Sequence, residues 1–315
     1  MKSLHRFALL VLLVFFTAAT TVISQETEGF SDNNGVKTYY RIYGSKGSPL
    51  LIINGGPGMN SNGFAELAKH LSANNRAIIF DQRGTGKTHV PAALDSSTIT
   101  MQNMVNDMEA LRKHLGYERW ILLGHSFGGL LAAYYSTQYP QRVEKMIFSA
   151  SGGINLDFLR YVGQSINSRL TKSERDTVAY WSQRYDAGDT SYAGRLRRGM
   201  ALAPAYVFDK RFVPTIAERL TQGNGRVNAL VFADLRRINY DCTEPLRRFK
   251  SPVLIIQGKQ DIIKPETAEY ARKVLPASHM VMLDSCGHYG WLDAEKQYLT
   301  VVRSFLTFGL TKSKP

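Results

Sequence analysis

Four short strand-like runs constrain this chain more than anything else in it. Pro49 to Ile53, Ala77 to Phe80, Trp120 to Leu123 and Lys145 to Ala150 are too short for ordinary helices. Their apolar residues follow one another without strict alternation, which is the pattern of strands covered on both faces. Between them lie stretches of helical spacing. One predicted helix runs from about Gly63 to Ser72. Another runs from Thr100 to Leu115, with Met101, Met104, Met108, Leu111 and Leu115 on one side. Strands and helices alternating at this range imply parallel strands joined by crossover helices, hence an α/β fold: a mostly parallel sheet flanked by helices.

The alternation stops once. From Ile154 to about Arg248 the sequence is rich in Arg and Tyr, helical in spacing, and free of buried-strand runs. Strands resume at Pro252 to Ile256 and Met280 to Leu283, with helices at Glu266 to Leu275 and Lys296 to Phe308. The expected organisation is a core in two parts, residues 25–153 and 245–315, carrying a helical lid over 154–244. Gln25 to Gly35 is polar and reads as loose. Val36 to Tyr43 reads as an edge strand.

The third run leads straight into Gly124-His125-Ser126-Phe127-Gly128, and Leu130 to Tyr139 is helical in pattern. Strand, G-x-S-x-G, helix is the context in which the serine stands clear of a sheet on a tight turn. Glycine at 124 and 128 removes the Cβ atoms that such a turn would force together. The helix that follows turns its positive end towards charge developing near Ser126.

A serine hydroxyl needs a base, and the base needs a carboxylate to hold its tautomer. In this fold pattern the order along the chain is Ser, acid, His. Asp261 follows the Val253–Ile256 run and His288 follows the Met280–Leu283 run, both at strand ends where open α/β sheets place their sites. Asp284 and Asp293 are rival acids. His125 is a rival base, expected to pack on the opposite side of the turn. Two backbone N–H groups would hold an oxyanion: that of Phe127, and one from Gly55 or Gly56 in the loop Asn54-Gly55-Gly56-Pro57-Gly58. Gly84-Thr85-Gly86-Lys87-Thr88 lacks the first glycine of a phosphate loop, since Asp81 stands there. The Gly55–Gly58 loop lacks the spacing of a dinucleotide site. The seven histidines form no metal motif, so neither metal nor cofactor is expected.

With these residues in view, the chain resembles the α/β-hydrolase superfamily, and more closely its proline iminopeptidase branch. Gly55-Gly56-Pro57-Gly58 is similar to that branch's H-G-G-P-G, with Asn54 in place of the histidine. Asp81-Gln82-Arg83-Gly84-Thr85-Gly86 is similar to its D-Q-R-G-x-G. Gly-His-Ser-Phe-Gly stands where the branch typically has Gly-Gly-Ser-Trp-Gly. The resemblance implies Ser126 as nucleophile, His288 as base, Asp261 as its orienter, and Gly56 and Phe127 as oxyanion donors. It also implies release of N-terminal residues, often proline, from peptides. Such an enzyme needs carboxylates for the substrate's α-ammonium, and Glu174, Glu218, Asp234, Asp241 and Glu244 are the available ones. A carboxylic ester or lactone hydrolase is the alternative enzyme, and a non-catalytic binding protein on this fold the alternative class. A serine at 126 argues against epoxide or haloalkane hydrolysis, which uses a carboxylate nucleophile.

Residues 1–24 have the form of a signal peptide: Lys2 and Arg6, then the apolar run Phe7 to Ala19, then small residues that place cleavage before Gln25. The run is shorter than the ~20 residues of a spanning helix. An exported protein without a stable membrane span is expected, an uncleaved anchor being the alternative. The formal charge is +13. Basic residues are dispersed without a long basic run, which argues against nucleic acid and leaves a small peptide or ester as the expected partner. Two cysteines, Cys242 and Cys286, leave a disulfide open.

Overall fold

The computed structural model describes residues 26–309; the leader read over 1–24 lies outside them. Eight strands form one sheet in the order β1-β2-β4-β3-β5-β6-β7-β8. They are β1 Glu26–Asn33, β2 Val36–Tyr43, β3 Ser48–Ile53, β4 Asn75–Phe80, β5 Trp120–His125, β6 Val143–Ser149, β7 Val253–Gly258 and β8 Ser278–Leu283. β1 and β2 pair antiparallel, as do β2 and β4; every pair from β4 through β3 to β8 is parallel. The α/β expectation therefore holds.

Two readings at the start of the chain need correction. The segment read as loose forms β1, and β1 rather than β2 is the edge of the sheet. The turn between them is Asn34-Gly35, both at positive φ (51° and 87°), the geometry that suits the right-handed twist of a two-residue hairpin.

Alternate residues of each central strand enter different cores. Leu51, Ile53, Ile78, Phe80 and Leu122 pack on one face, against α2 (Met101–His114), α3 (Phe127–Gln138) and α10 (Pro265–Val274). Leu50, Ile52, Ile79, Ile121 and Leu123 pack on the other, against α1 (Ala65–Leu71) and α12 (Glu295–Phe308). The methionines of α2 are buried core residues, as their spacing predicts. β3 and β5 are neighbours, yet the helices that follow them lie on opposite faces of the sheet. This is the switch point at which α/β sheets open a crevice beyond their strand ends.

The stretch between β6 and β7 contributes no strand. It contains α4 (Val162–Ser168), α5 (Lys172–Asp186), α6 (Tyr192–Leu202), α7 (Val213–Leu220), α8 (Gly225–Arg237) and α9 (Thr243–Leu246), with short 3-10 turns between them. The remaining helix, α11 (Gly290–Asp293), follows β8. Among the described residues no helix is long and apolar enough to cross a membrane.

Candidate active site

Ser126 occupies the single residue between β5 and α3, at φ 54° and ψ −120°. A non-glycine residue keeps such a conformation only where its surroundings enforce it. Here the enforcement is visible. Ser126 N–H donates to Ser149 O at 3.1 Å, and Ser126 O accepts from Gly129 N at 2.9 Å. A Cβ on Gly124 would stand 2.4 Å from Gly128 O, and one on Gly128 2.0 Å from Ile53 O. Only glycines let strand and helix close this tightly, and the closure pushes the serine out at the helix N-terminus.

The other two predicted residues meet. His288 Nδ1 lies 2.7 Å from Asp261 Oδ1, and both side chains are buried. The carboxylate is fully engaged: Oδ1 also accepts from Ile263 N at 3.0 Å, and Oδ2 from Gln257 Nε2 at 2.8 Å. The Arg169 guanidinium donates to the carbonyls of Gln260 and Asp261, fixing the loop from outside. On the histidine loop, His288 N–H donates to Tyr206 O at 2.7 Å.

The rival acids serve elsewhere. Asp284 is exposed and pairs with Lys259 at 2.6 Å. Asp293 accepts from the backbone N–H of Gly287 (2.8 Å), Phe208 (2.9 Å) and Asp209 (2.9 Å), so it anchors the histidine loop to the helical stretch. His125 is a packing residue. Its ring lies among Phe64, Tyr289 and Trp291, 4.6 Å from that of His288, and Nδ1 lies 3.1 Å from Ser149 O. Burial, aided by the positive charge of Arg219 and the neighbouring His288, holds it well below the usual histidine range. It is therefore neutral and ill-suited to carry a proton.

Ser126, His288, Gly55, Gly56 and Phe127 all line one cavity of about 280 Å³. No hydrogen bond joins the Ser126 hydroxyl to the His288 ring. Gly55 packs directly on the serine; a Cβ there would lie 2.6 Å from Ser126 Cβ. Among the described residues the Gly56 N–H has no protein acceptor. The far wall is apolar, built by Phe158, Leu159, Val162, Ile166, Phe232 and Ile262.

The second glycine motif braces the first. Asp81 Oδ1 accepts from Ser61 N and Oγ, both at 2.8 Å, and Oδ2 accepts from Lys87 N at 2.8 Å. Gln82 Nε2 donates to Asn54 O at 2.8 Å, and Arg83 forks onto Asp107 at 2.6 and 2.8 Å. Asn54 is fully buried and donates to Gly55 O and Met59 O. Asn54, Asp81, Gln82 and Arg83 shape the loop, and none of the four lines the cavity.

None of the five carboxylates considered for an α-ammonium lines the cavity. Glu174 closes the capping box of α5 with Thr171, and Glu218 accepts from Tyr192. Asp234 holds Met101 N and Arg237, Asp241 accepts from Thr243 N, and Glu244 pairs with Arg247. A second cavity of about 370 Å³ shares Pro57, Met59, Tyr206, Leu220 and Asn228 with the first. Its charged lining is Asp186, Arg195 and Arg198. Composition gave no sign of this chamber, because its residues come from separate helices. The two cysteines are buried free thiols, and burial pushes Cys242 up to about 12.

Comparison with known proteins agrees with the fold. Residues 48–295 match the family model described as alpha/beta hydrolase fold. A proline iminopeptidase of Lactobacillus crispatus is 28% identical, over 89% of this chain and 97% of its own. One from Saccharolobus solfataricus is also 28% identical, over 89% and 92%. Among solved structures, an alpha/beta fold family hydrolase from Bacillus anthracis superposes with a TM-score of 0.73 at 19% identity, over 90% of this chain and 99% of its own. An esterase from Exiguobacterium antarcticum superposes at 0.66 and 19%, over 89% and 100%. The chain belongs to the α/β-hydrolase family, in its proline iminopeptidase-like branch.

Proposed function

We propose that the chain is a serine hydrolase working through an acyl-enzyme. Ser126 attacks a carbonyl carbon and His288 takes its proton. Asp261 holds the imidazole with Nε2 free and stabilises the imidazolium. Gly56 and Phe127 N–H groups receive the oxyanion. His288 returns the proton to the leaving group, and water, activated by the same ring, releases the acid. The observation that carries this reading is the Asp261–His288 bond of 2.7 Å at a cavity that also exposes Ser126 and the unpaired Gly56 N–H.

For the substrate we propose a short peptide whose N-terminal residue is small and apolar, proline being the first to test. The curated relatives support this, and so does the apolar wall facing Ser126. Asp186, the carboxylate of the adjoining cavity, is the group offered to the α-ammonium. A second reading, a carboxylic ester, is favoured by a specific observation: no Asp or Glu lines the catalytic cavity itself. Aminoacyl-anilides assayed beside short aryl esters separate the two. Anilide cleavage with a KM raised by Asp186→Asn supports the peptidase; ester cleavage without anilide cleavage rejects it. We also propose export, with a mature N-terminus at Gln25, which sequencing of the mature protein checks.

A further inference from the structure

Arg219 is buried, with a relative exposure of 4%, and among the described residues it has no carboxylate counterion within ion-pair distance. An unpaired charge in the interior is costly, so its contacts need a reason. Its guanidinium stands over the Phe64 ring at 4.7 Å, which offsets part of that cost. Nη2 donates to Gly55 O at 2.9 Å, a carbonyl that Asn54 Nδ2 also reaches at 3.2 Å.

The Gly55 carbonyl and the Gly56 N–H belong to one peptide unit. That unit is planar and trans, so the two groups point in opposite directions. A carbonyl drawn towards Arg219 aims the N–H away from Arg219. A cation on the oxygen also polarises the unit and makes the N–H a stronger donor. The neighbouring carbonyls are held from the same side. Asn228 Nδ2 donates to Pro57 O at 3.0 Å, and Asn224 N donates to Gly58 O at 2.9 Å. Three carbonyls of the loop thus accept from α7, α8 and the turn between them, while Gly56 O accepts from Met59 N.

We propose that Arg219 is a positioning residue for the oxyanion site: it orients the Gly55–Gly56 peptide, so that the helices between β6 and β7 set the alignment of the Gly56 donor. The proposal rests on the serine-hydrolase reading. It makes those helices part of the transition-state machinery rather than only a cover over the substrate. Arg219 touches no reacting atom; its effect appears in kcat and not in ground-state binding.

The test compares wild type with Arg219→Gln and Arg219→Lys, each first checked for a cooperative thermal transition. The readouts are kcat, KM and the affinity of a trifluoromethyl ketone, whose adduct with serine places an oxyanion in the site. Misplacing one of two donors predicts a kcat lower by roughly 10–10³-fold in Arg219→Gln, with KM nearly unchanged. Ketone affinity falls in parallel. Arg219→Lys, which keeps a cationic donor, loses less. If Arg219→Gln does not fold, the parallel fall of kcat and ketone affinity in Arg219→Lys decides. A folded variant with wild-type kcat and ketone affinity, or one whose loss lies in KM alone, overturns the proposal. Wild-type protein that fluorophosphonate does not label at Ser126 refutes the underlying hydrolase reading instead.

Discussion

His288 Nδ1 stands 2.7 Å from Asp261 Oδ1, and the other carboxylate oxygen is held by Gln257, so the imidazole has one orientation. Replacing Asp261 by Asn offers the ring an amide that can present N–H instead of accepting, and the wrong tautomer follows. Asp261→Asn is expected to lower kcat by about 10⁴-fold with little change in KM. Steady-state kinetics on whichever substrate the panel identifies checks this; a loss under tenfold would argue that His288 is oriented by something else.

Gly55 lies against the serine so closely that a methyl group does not fit. A Cβ there would meet Ser126 Cβ at 2.6 Å and His125 O at 2.8 Å, both on the rigid turn. Gly55→Ala must therefore displace either Ser126 or the loop that carries Gly55 and Gly56. The expected result is a kcat reduced about 10²-fold, since small misplacements of reacting groups are costly, accompanied by a lower Tm. Unchanged turnover in a folded Gly55→Ala protein would mean that the loop moves freely.

His125 makes stability depend on pH. Its folded pKa is depressed well below 6.5 by burial, so the fold holds it neutral. The unfolded chain binds that proton near pH 6.5 and the folded chain does not. The contribution is complete above that pH and is lost as pH falls below it, at up to about 1.4 kcal/mol per pH unit. Thermal melts between pH 7.5 and 5 should show a fall that is flatter in His125→Phe. Identical pH slopes in the two proteins would remove His125 from the account.

Cys242 and Cys286 are buried free thiols, and burial raises both. Reductant should leave Tm unchanged, and iodoacetamide at neutral pH should not alkylate the folded protein. Rapid alkylation without denaturant would contradict the burial.

The legible parts of this molecule were those written locally. Buried-strand runs gave the sheet, and Asp261 and His288 could be read because each directly follows one. β1 was missed because most of its residues are exposed, so it lacks an apolar pattern; Asn34-Gly35 was the signal that could have revealed it. The packing role of His125 was legible because the alternation of β5 carries through to it: its ring joins Phe64, Tyr289 and Trp291 on the face of Ile121 and Leu123. Arg219 was out of reach altogether. It bonds to Gly55, 164 positions away, and no local pattern marks an arginine as the partner of a distant carbonyl. The charged chamber of Asp186, Arg195 and Arg198 was hidden for the same reason.

The most direct test of the central claim is covalent labelling of the folded protein by a fluorophosphonate, read by peptide mass spectrometry beside Ser126→Ala. The account predicts a single adduct on Ser126, none in the variant, and a kcat/KM in the variant lower by roughly 10³–10⁶-fold. An unlabelled folded wild type, an adduct on another residue, or a Ser126→Ala protein that keeps its turnover would contradict it.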